Sequence, residues 1–183
     1  MTERKAYRTC TLSIISLSPE DVLSQSHDEE LKARINAIIS AEAPIKDTLL
    51  KKRLLSGISL KRCGSRLDEH ISALIDTMNL FTTEEDETVY HKAPYTGYTF
   101  FRTAPESERY SYQIPVCEAK CALLWCLENH SGMMYRRELL QAFTSALLYE
   151  RKGSSIEALF EASLNAALED KSIKESGNHK FFI

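Results

Sequence analysis

Residues Arg62-Cys63-Gly64-Ser65-Arg66-Leu67 open an apolar stripe made of Leu67, Ile71, Leu74, Ile75 and Met78. Further along, Arg151-Lys152-Gly153-Ser154-Ser155-Ile156 opens a second stripe, made of Ile156, Leu159, Phe160, Leu164 and Leu168. The spacing predicts two amphipathic helices, each preceded by a basic turn that contains glycine. Glycine in such a turn permits a positive φ or a close backbone approach, so we interpret both glycines as structural. Because the repeated stretch with its flanking elements is longer than the repeat unit of a solenoid, the sequence predicts two small domains.

The flanking sequence predicts the same order of elements around each stripe. Before the first stripe, apolar spacing predicts one helix from residue 28 and another over 47–55. Ser65 is predicted as the N-cap of the third helix, with Asp68 three residues later as in a capping box. An acidic turn followed by Val89-Tyr90 then predicts a β-hairpin.

In the second half, helices are predicted over 117–129, 136–149 and 154–170, followed by a terminal hairpin that ends at 181–183. Three helices followed by a hairpin are typical of the winged helix-turn-helix. The predicted fold class is therefore mainly α with small β wings (α+β), built from tandem winged helix-turn-helix units.

Four segments follow from this pattern. They are an N-terminal arm (1–27), a first winged-helix-like domain (28–101), a linker (102–115) and a second winged-helix-like domain (116–183). Within the arm, alternation over 7–17 predicts a short strand. Ser18-Pro19 predicts a helix start, with serine as the cap and proline at the first helical position. Aromatic residues over 95–101 predict one further strand.

Charge is distributed unevenly along the 183 residues. The net charge of −3 argues against a strongly basic nucleic-acid binder on average, whereas a local patch of one sign matters more to a polyanionic partner. Glu84-Glu85-Asp86-Glu87 is an acidic block. Against Asp47 alone, the segment 46–66 carries seven basic residues: Lys46, Lys51, Lys52, Arg53, Lys61, Arg62 and Arg66.

The five cysteines show neither disulfide-framework spacing nor a C-x2-C pair. Cys117 and Cys121 share one helical face, and cysteines on an apolar face favour small core residues over a metal site. We found no signal peptide and no apolar run of about twenty residues that would span a membrane. The sequence therefore predicts a cytoplasmic chain with reduced thiols, no metal and no membrane association.

The basic turns are the candidate nucleic-acid contacts. In a winged helix the third helix enters the major groove, and its first residues meet bases or phosphates. The candidate nucleic-acid-binding residues are Lys51, Lys52, Arg53, Lys61, Arg62, Ser65 and Arg66 in the first domain, and Arg151 and Lys152, with Ser154 and Ser155, in the second. A solvated basic face is the alternative, since many winged helices bind protein instead.

No motif of an enzyme stands out. The sequence has no phosphate-binding G-x-x-x-x-G-K-[ST] loop, no G-x-S-x-G and no H-E-x-x-H, and its five histidines are scattered. We therefore expect no catalysis and no cofactor. Seven aromatic residues either stack on bases or pack onto the helical core, and packing is favoured. They are Tyr90, Tyr95, Tyr98, Phe100, Phe101, Tyr110 and Tyr112.

The stretch from Tyr7-Arg8 through Ala43-Pro44-Ile45 to Arg62-Cys63-Gly64-Ser65-Arg66-Leu67, with its second copy, resembles a domain of unknown function. That domain lies at the C-terminus of very large bacterial proteins related to superfamily I DNA helicases. Ala43 stands where the family tends to glycine, and Ser155 where it often has arginine, which weakens a phosphate contact there. The resemblance implies a C-terminal fragment that serves a helicase- or nuclease-like machine, without ATPase motifs of its own.

Two functions stay open from the sequence. One is a non-catalytic accessory module that binds or positions DNA for a helicase-type motor in the same or a partner chain. The other is a protein-interaction or dimerisation module of the same machine. A free-standing regulator is a third interpretation, supported only by the arm. Oligomeric state does not follow from the sequence.

Overall fold

A computed structural model of the chain describes residues 1–105, 108–151 and 153–183. In these residues the protein is α+β, with seven α-helices and small sheets. It divides into two compact units. We call Arg8–Tyr95 the N-terminal unit, and Met1–Tyr7 together with Thr96–Ile183 the C-terminal unit.

The N-terminal unit holds four helices and a three-stranded antiparallel sheet of order β2-β4-β3. Apolar side chains of the three longer helices meet in one buried core, because each helix repeats leucine or isoleucine on a single face. Along the chain, the elements are α1 (Pro19–Leu23), α2 (Asp28–Glu42), β2 (Ile45–Lys46), α3 (Asp47–Gly57), α4 (Ser65–Asp76), β3 (Phe81–Glu84) and β4 (Thr88–His91).

Helix α1 begins as the sequence predicts. The Ser18 hydroxyl accepts the Asp21 backbone N–H at 3.1 Å, and the Asp21 carboxylate accepts the Ser18 backbone N–H at 2.8 Å. This reciprocal pair satisfies two donors that a helix start leaves open. Pro19 occupies the first turn, where its missing N–H costs nothing. The hairpin predicted around Val89-Tyr90 is also confirmed, as β3 and β4.

Two local predictions in this unit are wrong. Residues 7–17 form no strand; the Cys10 backbone N–H donates to Glu42 Oε1 of α2 at 2.8 Å, and the Ile15 backbone N–H to the Gly57 carbonyl oxygen of α3 at 3.1 Å. The N-cap of α4 is Gly64 rather than Ser65, and no side chain caps that helix. Asp68 instead forms an ion pair with Lys51, which draws its carboxylate away from the helix start.

The C-terminal unit repeats the order of helix, strand, helix, helix and hairpin. Its elements are α5 (Val116–Glu128), β6 (Met133–Tyr135), α6 (Arg136–Ala146), α7 (Ser154–Glu169), β7 (Lys174–Ser176) and β8 (Lys180–Phe182), with sheet order β6-β8-β7. In its core, the rings of Phe143 and Phe160 pack edge to face, with their centroids 5.6 Å apart. The predicted helix over 136–149 ends earlier, at Ala146, before Leu148 at a φ of 67°.

A parallel two-stranded sheet completes the C-terminal unit. Strand β1 (Glu3–Ala6) pairs with β5 (Phe100–Thr103), so the first residues of the chain pack with its second half. The segment 102–115, proposed from the sequence as a linker, includes the end of β5 and a 3-10 helix at Ser111–Gln113. Its Arg109 is only 1% exposed.

Candidate nucleic-acid interface

Two of the cations predicted to contact nucleic acid are held inside the N-terminal unit. Lys51 Nζ lies 3.0 Å from Asp47 Oδ2 and 2.9 Å from Asp68 Oδ1. Burial alone would lower the pKa of Lys51, but the hydrogen bonds and charges of these two carboxylates outweigh it and raise that pKa. Arg53 Nε lies 3.1 Å from Glu42 Oε2, and the Glu42 side chain is fully buried. Both cations therefore stabilise the helices that carry them.

Lys46, in the same basic segment, is also neutralised. It is 2% exposed, and its Nζ lies 2.6 Å from Asp86 Oδ1 in the turn between β3 and β4. Glu87 of that turn accepts the Thr48 backbone N–H at 2.8 Å, in the first turn of α3. A carboxylate there binds an open backbone donor and complements the helix dipole. The acidic block thus fastens the hairpin to α3.

The remaining residues of the predicted site lie on the surface. Lys61, Arg62, Ser65 and Arg66 are exposed around the start of α4, and Lys52 is exposed on α3. Within residues 1–105, 108–151 and 153–183, none of the four cations in this set forms an ion pair. The structure therefore leaves four cations available to a partner. We call Lys52, Lys61, Arg62 and Arg66 the α4-start patch.

A groove of about 770 Å³ runs between α3 and the loop that leads to α4. Lys52 and Lys61 line it, together with apolar Leu55 and Leu60 and the exposed Cys63. Further along α4, the exposed side chains include Glu69 and Asp76, which would repel phosphate. Positive charge is thus confined to the beginning of the helix.

The corresponding turn of the C-terminal unit carries less of the predicted site. Arg151 is exposed just before α7, and Lys152 lies outside the described residues. Gly153 is the N-cap of α7, and the Ser155 hydroxyl is hydrogen bonded to the Ser111 hydroxyl at 2.6 Å. Ser155 is therefore occupied within the unit.

The seven aromatic residues differ in how deeply they are buried. Tyr90 and Phe101 are buried in the cores, as expected for packing. Tyr110 and Tyr112 are 41% and 56% exposed, and their rings stack on each other with centroids 5.5 Å apart. They do not serve core packing.

The cysteines do not gather into a metal site in the part of the chain that the structure describes, where no group of three histidine, cysteine, aspartate or glutamate side chains is close enough to hold an ion. Burial raises the pKa of Cys121 to about 11 and that of Cys126 to about 12, so both remain thiols near neutral pH. Among the described helices, none has the length and apolarity to cross a membrane.

Two buried carboxylates that organise the chain escaped the sequence prediction. Glu42 holds Arg53 and the Cys10 amide. Glu118 forms ion pairs with Arg102 and Arg109, whose Nη2 atoms each lie 2.7 Å from Glu118 Oε2. All three side chains are buried. An acidic residue on an otherwise apolar helical face could have indicated both sites in the sequence, because a buried carboxylate requires a cation nearby.

Comparison with protein families gives one match. Residues 20–69 match the model of a family described as "Protein of unknown function (DUF3320)". The match covers nearly all of α1, then α2, α3 and the start of α4, with the whole of the α4-start patch. No curated protein matches the chain.

Proposed function

We propose that this chain is a non-catalytic accessory module whose N-terminal unit binds the DNA backbone through the α4-start patch. One observation carries the proposal: among the described residues, four exposed cations that form no ion pair surround the start of α4, which stands third in the row of α2, α3 and α4 that precedes the hairpin. The order of its elements, with the hairpin last, supports a winged helix-turn-helix. In that fold the start of the third helix meets the duplex.

The patch favours phosphates over base edges. Its positive charge ends within the first turn of α4, beyond which Glu69 is exposed. Contacts to phosphates position a protein on DNA without reading its sequence. We therefore infer sequence-independent positioning of DNA, in the service of a helicase-type motor in the same or a partner chain. The association with a motor rests on the resemblance noted from the sequence.

Fluorescence anisotropy with labelled duplex and single-stranded DNA, titrated from about 50 to 200 mM salt, tests the proposal. Four phosphate contacts predict a slope of log affinity against log salt of roughly −3 to −4 on duplex DNA. Undetectable binding at the lowest salt would contradict it.

A protein-docking role is the second candidate, because an apolar ring is exposed on the hairpin of the same unit. Phe81 of β3 is 49% exposed, and the nearby turn is acidic. Association through such a surface would weaken little with salt, unlike association with DNA. Sedimentation velocity of the chain with a candidate motor at low and high salt separates the two roles.

A further inference from the structure

The two units place buried residues at matching positions. From α3 and α6 to the ends of α4 and α7, most buried positions of one unit lie at the same chain spacing from buried positions of the other, although Leu49 corresponds to the exposed Glu138. The pairs include Leu50 and Leu139, Leu54 and Phe143, Ile58 and Leu147, Leu67 and Ile156, and Ile71 and Phe160. Along α2 and α5, Ile38 and Ile39 correspond to Cys126 and Leu127 at a spacing that is one residue shorter. Positions on the helix surfaces can therefore be compared between units.

In the N-terminal unit, the face between α2 and α3 is covered by an extended segment of the chain itself, residues 10–17. The Ile15 backbone N–H donates to the Gly57 carbonyl oxygen at 3.1 Å. Leu12 Cδ1 lies only 2.8 Å from where a Cβ on Gly57 would stand. Glu42 accepts the Cys10 N–H and pairs with Arg53, Arg34 Nη1 donates to the Ser13 carbonyl oxygen at 2.9 Å, and Gly57 accepts the Ile15 N–H.

In the C-terminal unit, the matching face carries an open groove of about 680 Å³ between α5 and α6. The positions that match Glu42, Arg53 and Gly57 are His130, Ala142 and Ala146, and all three line this groove. Trp125, Met133 and Arg4 line it too, and Met133 is 49% exposed. A surface that is covered in one unit is thus accessible in the other.

We propose that this groove binds an extended, uncharged segment of a partner protein, with spaced apolar side chains. Residues 10–17 of this chain show that chemistry, since they carry no charge and Cys10, Leu12, Ile15 and Leu17 pack against the core. That segment is hydrogen bonded within its own unit, so it is not free to enter this groove.

His130 supplies the polar contact that Glu42 supplies in the N-terminal unit. Its Nδ1 lies 2.8 Å from the Cys126 carbonyl oxygen, which only accepts, so Nδ1 carries the proton. In the neutral ring, Nε2 is then an acceptor for a peptide N–H. Met133 adds an adaptable apolar side chain, and Trp125 a broad ring.

Trp125 is the sole tryptophan of the chain, so its fluorescence reports directly on the groove. The probe is a synthetic peptide with the sequence of residues 8–18, with Cys10 replaced by serine to prevent oxidation. Titrated into the full chain, it should change the Trp125 emission saturably. The same peptide with Leu12→Asp and Ile15→Asp should not, because it lacks two of the apolar side chains that would pack against Trp125 and Met133.

A matched pair of variants locates the site. Ser145→Arg places a long charged side chain in the groove and should weaken peptide binding about tenfold or more. Ser56→Arg is the control, since Ser56 is exposed at the matching position of the N-terminal unit and should leave the Trp125 response unchanged. Circular dichroism confirms that both variants fold.

Three results would overturn the proposal. In the first, Trp125 emission does not change up to the solubility limit of the peptide. In the second, it changes equally in Ser145→Arg, and in the third, it changes with the concentration of the chain when no peptide is present. The last would assign the groove to a second copy of the chain. The test requires no DNA, so its failure is separate from failure of the proposed DNA binding.

Discussion

Within one basic stretch of sequence, two cations of α3 are used in the opposite way to the cations at the start of α4. On α3, Lys51 and Arg53 form ion pairs within the unit. At the start of α4, Lys61, Arg62 and Arg66 are exposed without an internal ion pair among the described residues. A count of the charges along a segment therefore overstates the number of charges that are accessible to a partner. Internal cations should control stability, and external ones should control binding.

The largest expected effect is that of Glu118→Gln in the C-terminal unit. Glutamine leaves the buried guanidinium groups of Arg102 and Arg109 without a counter-charge, which costs about 3–5 kcal/mol of unfolding free energy. Urea unfolding followed by Trp125 fluorescence measures the loss. The exposed Glu157→Gln is the control and should change stability by less than about 0.5 kcal/mol. Equal stability of the two variants would show that the buried cluster is not stabilising.

Arg53→Met should cost about 3 kcal/mol in the N-terminal unit, because it leaves the fully buried Glu42 carboxylate without its cation. Lys52→Met, at the neighbouring exposed position, should be nearly neutral for stability. Urea unfolding by circular dichroism gives both values. If the two variants were equally stable, the division between internal and external cations would fail on α3.

Acid should destabilise the C-terminal unit over a defined range of pH. Burial alone would raise the pKa of Glu118, but the charges and hydrogen bonds of Arg109 and Arg102 outweigh it and hold that pKa at about 2, below its usual 4.5. Because the folded-state pKa is lowered, this stabilisation is complete above pH 4.5 and is lost as the pH falls from there towards 2. Urea midpoints from Trp125 fluorescence between pH 7 and 3 should fall in this range. Glu118→Gln should show a shallower fall.

Asp86→Asn tests an internal pair of which one partner is exposed. Lys46 is buried but Asp86 is 64% exposed, so solvent screening limits the expected loss to about 1 kcal/mol. Glu69→Gln, an exposed change on α4, is the control for stability. DNA affinity should hardly change in Asp86→Asn, apart from the single charge removed. A marked gain in affinity would mean that Lys46 becomes available to DNA once released.

Much of the fold follows from local sequence. Leucine and isoleucine spacing places α2, α3, α4 and the helices of the C-terminal unit, and Ser18-Pro19 marks the start of α1. The pairing of β1 with β5 does not follow, because its partners lie at distant points of the chain and neither strand alternates clearly. The N-cap at Gly64 was missed because glycine has no side chain that marks a cap, whereas the next residue, Ser65, is a common capping type.

The candidate site was predictable only as a segment. Sequence identified the basic residues between 46 and 66, and the structure shows which of them meet a carboxylate across space. Glu42 and Asp86, the partners of Arg53 and Lys46, lie in other elements of the fold, and no local pattern in the sequence predicts such pairs. The exposed tyrosine pair was likewise hidden, because Tyr110 and Tyr112 flank the buried Ser111 in one 3-10 turn.

The salt dependence of duplex DNA binding by Arg62→Ala with Arg66→Ala tests the central claim most directly. Both side chains are exposed, so the folded state should be unaffected. The account predicts weaker binding and a slope of log affinity against log salt that is shallower by about 1.8, since each lost phosphate contact removes about 0.9. The matched control, Lys171→Ala with Lys174→Ala, removes two exposed cations of the C-terminal unit and should leave the slope unchanged. Equal slopes for the wild type and the arginine variant would contradict the account.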